Sequence, residues 1–145
     1  KRQRAPPALY IVTALGSSIG SVGTTDQLRR MVAFLLNMKL SLNSLGITHR
    51  DIRLPNTLYN SSTNQFGLID WDDSVKGLRN LPNADVAHLD PSSHAPEMFT
   101  PGGKHDHSVD LWSIGFLIKQ NLAHADETLR SFMNEFMKSA SCSHC

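Results

Sequence analysis

A carboxylate and a carboxamide stand five positions apart in His49-Arg50-Asp51-Ile52-Arg53-Leu54-Pro55-Asn56, directly after a basic dipeptide. Side chains of these types at this spacing suit phosphoryl transfer from ATP. Such a transfer needs a carboxylate to orient the attacking hydroxyl and take its proton, and a further oxygen ligand for the metal that screens the phosphates. Asp51 fits the first role and Asn56 the second. Arg53 follows Asp51 by two residues and could neutralise the transferred phosphoryl group with its planar fork; the same side chain could equally be a solvated surface cation. A third oxygen donor, Asp70, lies fourteen residues past Asn56 in Leu68-Ile69-Asp70-Trp71-Asp72. The segment between reads as a β-hairpin: 57–60, a polar turn at 61–64, then 65–69. A hairpin returns its two ends to one edge, so Asp70 is expected beside Asn56. Two oxygen donors facing one space suit Mg²⁺, a hard ion.

These loops need rigid supports. Leu28, Met31, Val32, Leu35, Leu36, Leu42 and Leu45 recur at helical spacing, with Thr24 as N-cap and Gln27 completing a capping box. Phe34, Met38 and Leu40 widen the apolar face, so this helix is expected to be buried on more than one side. Gly46 is placed to end it, three residues before His49. Upstream, Leu9–Ala14 reads as a buried strand and Ser17–Gly23 as a Gly- and Ser-rich loop. Its glycines lack the spacing of a phosphate cradle. Asp110 to Ile118 is apolar almost all round and reads as an enclosed helix; Asp110 needs a partner to be buried there. A last helix carries one apolar stripe of Leu129, Phe132, Met133, Phe136 and Met137.

The first loop resembles the catalytic loop of protein kinases, H-R-D-x-x-x-x-N, at each fixed position. Asp70-Trp71-Asp72 is similar to the kinase D-F-G, with an aromatic retained and Asp72 in place of glycine. Ala95-Pro96-Glu97 and Asp110-Leu111-Trp112-Ser113-Ile114-Gly115 resemble the A-P-E motif and the D-x-W-S-x-G helix that follows it. The I-D-W-D wording is also similar to fungal-type kinases and to kinase-like secreted effectors of fungi and oomycetes. The resemblance implies a mainly α fold with a small β-hairpin, the C-terminal lobe of a protein-kinase-like fold. Residues 1–23 would then be hinge strand and linker loop and residues 24–145 the lobe, with no N-lobe in this sequence. It implies ATP and Mg²⁺ as cofactors, Asp51 as base, and Asn56 and Asp70 as the metal and nucleotide ligands. Arg50 would grip a phosphate on the activation segment, where Ser92 and Ser93 are either acceptors of it or plain loop residues; Asp85 and Asp90 could supply the charge instead. Asp110 would accept backbone amides of the catalytic loop, against the plainer reading of a salt-bridged surface carboxylate. Glu97 would pair with a later arginine, and Arg130 is the one that follows it.

Size and composition bound the rest. The chain has 145 residues, 40% of them apolar, enough for one domain with a core. Its formal net charge of +1 gives no argument for a nucleic-acid partner. No apolar run approaches the roughly 20 residues that span a bilayer, so no membrane partner is expected. Lys1-Arg2-Gln3-Arg4 is either a solvated end or part of a nuclear localisation signal. Only Cys142 and Cys145 occur, beside His144; they read as free thiols rather than a zinc site, and their scarcity agrees with an intracellular setting, cytoplasmic or nuclear. Without an initiator Met, the sequence is expected to be a piece of a longer chain. The Gly-rich loop and the phosphate-gripping lysine of kinases are missing, so the expectation is a kinase fragment that acts on a protein substrate, Ser/Thr ahead of Tyr, and works weakly without its N-lobe or another chain covering the cleft. Two alternatives stay open: a non-catalytic binding or scaffold module, and a small-molecule phosphotransferase of aminoglycoside or choline type.

Overall fold

Residues 16–77, 86–103 and 105–139 are described by the computed structural model. The expected strand at Leu9–Ala14, the basic opening, Asp85 and the terminal cysteines lie outside the described residues.

Helix α1 (Thr25–Ser44) starts as its sequence dictates. Thr24 is extended, and its Oγ1 accepts the Gln27 N–H at 3.1 Å. The Gln27 side chain reaches back to the N–H of Gly23 at 2.9 Å, one residue earlier than a capping box would place it. Leu28, Met31, Val32, Leu35 and Leu42 are buried, and Phe34, Leu36 and Met38 pack partly against the same core. The apolar face is not buried along its whole width, however. Leu40 and Leu45 remain 61% and 60% exposed. Leu40 sits two residues from Leu42, hence on the opposite side of a helix with about 3.6 residues per turn, and Leu45 is already the C-cap. Gly46 follows at φ +67°, a left-handed turn that glycine takes at no steric cost, and the chain leads on into the segment 47–56.

Five short strands flank this helix: β1 (Ser17–Ser18), β2 (Ile47–Thr48), β3 (Thr57–Asn60), β4 (Gln65–Leu68) and β5 (Val75–Lys76). β3 and β4 form the expected hairpin, antiparallel, with Thr57 opposite Leu68 and Asn60 opposite Gln65. Its tip is held by the Asn60 Oδ1, which accepts the N–H groups of Ser62 and Thr63, and Asn64 closes the turn at φ +59°. The Gly/Ser stretch read as loop opens instead as β1, paired antiparallel to β3, and sends buried Ile19 and Val22 into the core. A two-residue strand carries no periodicity to read. β2 and β5 form a second small antiparallel pair.

Helix α2 (His107–Gln120) is capped by Asp106, whose carboxylate accepts the Ser108 N–H at 2.8 Å. It is buried nearly all round and links two apolar clusters. One joins Ile19, Val22, α1 and helix α3 (Glu127–Ser139) through Ile114, Leu117 and Ile118; the other gathers Val86, Leu89, Ala95 and Met98 around Val109 and Trp112. The described residues thus form three α-helices with small antiparallel sheets.

The α2–α3 contact sets one clear test. A Cβ on Gly115 would stand 2.9 Å from Met137 Cγ and 3.1 Å from Phe136 Cβ. Gly115→Val should therefore cost about 1–3 kcal/mol by overpacking, read as a lower urea midpoint. Gly115→Ala should cost less, since alanine gains about 1 kcal/mol of helix propensity.

Candidate active site

Residues 49 and 50 are fixed from behind by one buried carboxylate. Asp110 is 1% exposed. Its Oδ2 accepts the His49 N–H and its Oδ1 the Arg50 N–H, each at 2.8 Å. Burial pushes its pKa up to about 6, against the pull of those two amides. Arg50 is held at φ +72°, the left-handed region, which a side-chain-bearing residue occupies at a cost of order 1–3 kcal/mol. The two amide bonds hold it there.

His49 is buried and neutral. Its Nδ1 accepts the Asp51 N–H, and its Nε2–H donates to the Ile69 carbonyl, so one proton satisfies both ring nitrogens. Burial lowers its pKa further. The ring of Trp71 packs against it, tilted by 58° with the centroids 4.5 Å apart. Arg50 is buried too. Its guanidinium donates to the Asp73 carbonyl, meets His105 Nδ1 at 3.1 Å and lies 3.9 Å from the Asp73 carboxylate. Ser92 and Ser93, the candidate activation-segment hydroxyls, bond to Asp90.

Asp51 itself is 3% exposed. Its Oδ1 meets His94 Nε2 at 3.0 Å and Arg53 Nε at 3.1 Å; its Oδ2 accepts Asn56 Nδ2 at 2.8 Å. Burial alone would raise its pKa, but the His94 bond, the Arg53 charge and the Asn56 bond together hold it below the usual carboxylate range. A carboxylate offers about four lone-pair sites. Three are used, and one on Oδ2 stays open. His94 was not visible as a site residue in the sequence. It lies 43 positions from Asp51 and no local spacing marks it.

Asn56 donates both its bonds to Asp51, to the carboxylate and to the backbone carbonyl at 3.0 Å. This orients the amide, and no donor among the described residues bonds its Oδ1. The Ile69 N–H donates to the Asn56 carbonyl at 2.9 Å, extending the hairpin so that Asp70 follows directly. Asp70 is exposed, at φ +66°, with no hydrogen bond or ion pair among the described residues. An amide oxygen and a carboxylate are the donor set that Mg²⁺ takes, usually with one or two protein ligands beside water and phosphate. The residues fit that ion. Among the described residues no group of three or more His, Cys, Asp or Glu could hold a metal, and no helix is long and apolar enough to cross a membrane.

One expected pair is absent. Glu97 accepts from Ser108 Oγ at 3.3 Å, and its other oxygen is buried with no hydrogen-bond partner. Burial raises its pKa. Arg130 instead donates to the carbonyls of Ala125 and Leu122, closing the turn before α3. The Leu122 carbonyl also accepts the Ala125 N–H at 3.2 Å, and the guanidinium that charge counting assigned to Glu97 is engaged by this turn instead.

Residues 19–88 match the family described as "Phosphotransferase enzyme family". The chain is also similar to Crinkler effector protein 8 of Phytophthora infestans, 35% identical over 85 residues, covering 59% of this chain and 14% of that protein. It is similar to casein kinase II subunit alpha' of Saccharomyces cerevisiae, 31% identical over 80 residues, covering 52% of this chain and 22% of that protein. The chain thus spans less than a quarter of the length of either relative.

Two outcomes are expected of this site's scaffold. Asp110→Asn puts an amide donor against one of two N–H groups and should cost about 1–3 kcal/mol. The folded pKa of Asp110 lies above its ordinary 3.8. The folded state therefore binds the proton more readily, and stability falls as pH rises from 3.8 to about 6. The variant should lose that slope, and its deficit in urea titrations should be larger below this window than above it. In a Glu97→Gln and Arg130→Ala double-mutant cycle the coupling should stay within about 0.5 kcal/mol, as for residues sharing no bond.

Proposed function

We propose that this chain, whose residues 19–88 match a phosphotransferase family and which is similar to a casein kinase II subunit, supplies the C-terminal lobe of an ATP-dependent protein kinase site. The observation that carries the reading is the buried Asp51 carboxylate with one open lone pair on Oδ2, beside an Asn56 oxygen and at the root of the hairpin that presents Asp70. The acceptor is a protein hydroxyl, serine or threonine ahead of tyrosine. Its oxygen forms a bond to the γ-phosphorus while the bond from that phosphorus to the β–γ bridging oxygen breaks, and ADP leaves. The proton passes to Asp51 Oδ2. Arg53 spends only its Nε on Asp51 and is half exposed, so its remaining N–H groups are available to the transferred phosphoryl oxygens. Mg²⁺ bound by Asn56 and Asp70 would screen the phosphate charge.

The depressed pKa of Asp51 bears on its role. It keeps the group ionised and ready to orient the hydroxyl, and makes it a weak base. A largely dissociative phosphoryl transfer asks mainly for that orientation, because positioning and electrostatics do most of the work.

A second reading is favoured by the family match itself, whose description specifies phosphotransfer without a protein acceptor. The acceptor is then a small-molecule hydroxyl on the same Asp51.

Both readings meet one experiment: transfer from radiolabelled ATP by the 145-residue chain and by a version extended upstream of Lys1, tried on protein and on small-molecule acceptors. The extended protein should label protein, the short chain little. Asp51→Asn in the extended protein should lower transfer about 10²–10⁴-fold with nucleotide binding kept. Equal turnover in the variant removes Asp51 as base; labelling of small molecules alone selects the second reading; no transfer at all leaves a binding module.

A further inference from the structure

His94 lies in the segment before Ala95-Pro96-Glu97, far from the catalytic loop in sequence, yet it is 3% exposed and touches Asp51. Its ring is fixed at both ends. Nε2 is 3.0 Å from Asp51 Oδ1, and Nδ1 is 2.8 Å from the Asp90 carbonyl. A carbonyl oxygen only accepts, so Nδ1 carries a proton. With that proton in place, a neutral ring would aim the Nε2 lone pair at a carboxylate oxygen. Only a second proton on the ring makes both contacts attractive. The Ser93 hydroxyl, 3.2 Å from Nδ1 and from the Asp90 carbonyl, completes the pocket on that side.

We infer that His94 is a positioning residue for Asp51: as an imidazolium it clasps Oδ1, so that only Oδ2 is presented to the acceptor hydroxyl. The inference rests on the proposed role of Asp51 for its consequence, but not for the clasp itself. It divides the two carboxylate oxygens by function. Oδ1 is taken by His94 and Arg53, and Oδ2, bonded once by Asn56, keeps the open lone pair. It also ties segment 90–95 to the catalytic loop through one side chain. Displacement of that segment would leave the Asp51 carboxylate held by Arg53 and Asn56 alone.

The carboxylate and carbonyl oxygens facing His94 favour a charged ring. Burial disfavours the charge, but the bonds to Asp51 and to the Asp90 carbonyl, with the Asp51 charge, outweigh it and raise the pKa, while Arg53 opposes them. The exposed Asp90 carboxylate also interacts with the charge on His94, and the Phe99 ring lies edge-on at 6.5 Å. Because the folded pKa lies above the ordinary 6.5, the clasp is complete below 6.5 and is lost as pH rises through the folded value.

The test reads the clasp without relying on activity. The imidazole resonances of the 145-residue chain are followed by NMR against pH, with His94 assigned by its disappearance in His94→Gln. The expected result is a His94 pKa above the ordinary histidine value that moves down in Asp51→Asn, while circular dichroism shows both variants folded. A His94 pKa that does not respond to Asp51→Asn overturns the inference. In the extended protein, His94→Ala should lower kcat by about 10- to 100-fold, the cost of a misplaced group, with the nucleotide KM unchanged. His94→Gln, which can still donate one bond to Oδ1, should recover part of that rate and lose the alkaline fall in kcat. An unchanged kcat in His94→Ala, with transfer intact, overturns the positioning role. If the extended wild-type transfers no phosphate, the proposed activity fails while the NMR result still decides the clasp.

Discussion

Two backbone amides on one buried carboxylate organise this molecule. Asp110 sits one turn into α2, in the most enclosed helix, and holds the His49 and Arg50 amides at 2.8 Å each. Removing a charge from water costs several kcal/mol unless it is bonded, so Asp110 has few alternatives to those amides once α2 is packed. The core thus positions the start of the loop, and bonds among the loop's own residues carry that placement on to Asp51 and Asn56. Everything at the site follows in series: Arg50 in its left-handed turn, His49 bridging the Asp51 amide and the Ile69 carbonyl, then Asp51, then Asn56 on Asp51.

This series also explains why the site is so polar inside and yet nearly satisfied. His49, Arg50, Asp51, Asn56, His94, His105 and Asp110 are all buried. A half-bonded network of that size would cost more than an apolar core, whereas a bonded one specifies a single geometry. Among the described residues, one Glu97 carboxylate oxygen is buried without a hydrogen bond. Burial there favours the protonated acid.

How far the sequence reveals this depends on the range of each interaction. The helices were legible because burial repeats every three or four residues, and the hairpin because polar turn residues separate two short runs of the right length. The caps at Thr24 and the stop at Gly46 are local chemistry and read equally well. Leu40 and Leu45 misled because apolar residues at a helix end look the same whether or not something covers them. β1 was missed because two serines carry no strand signal; only pairing with Leu58 and Tyr59 makes them one. Glu97 and Arg130 misled for a different reason: a guanidinium serves carbonyls as well as carboxylates, and charge counting sees only the latter. His94 was invisible because its role arises only when residues 43 apart meet.

The hairpin between Asn56 and Asp70 divides into parts that evolution can treat differently. Its root is fixed by paired register, Thr57 against Leu68, with the Ile69 amide on the Asn56 carbonyl. Its tip, residues 61–64, is exposed and held mainly by the Asn60 side chain. Side chains alternate faces along a strand, so a one-residue slip at the root would turn Phe66 and Leu68 away from the core and carry Asp70 off the site. Length added at the tip leaves the register untouched. The tip is thus where lineages can lengthen, shorten or decorate this protein freely, while the few residues at the root must drift together or not at all.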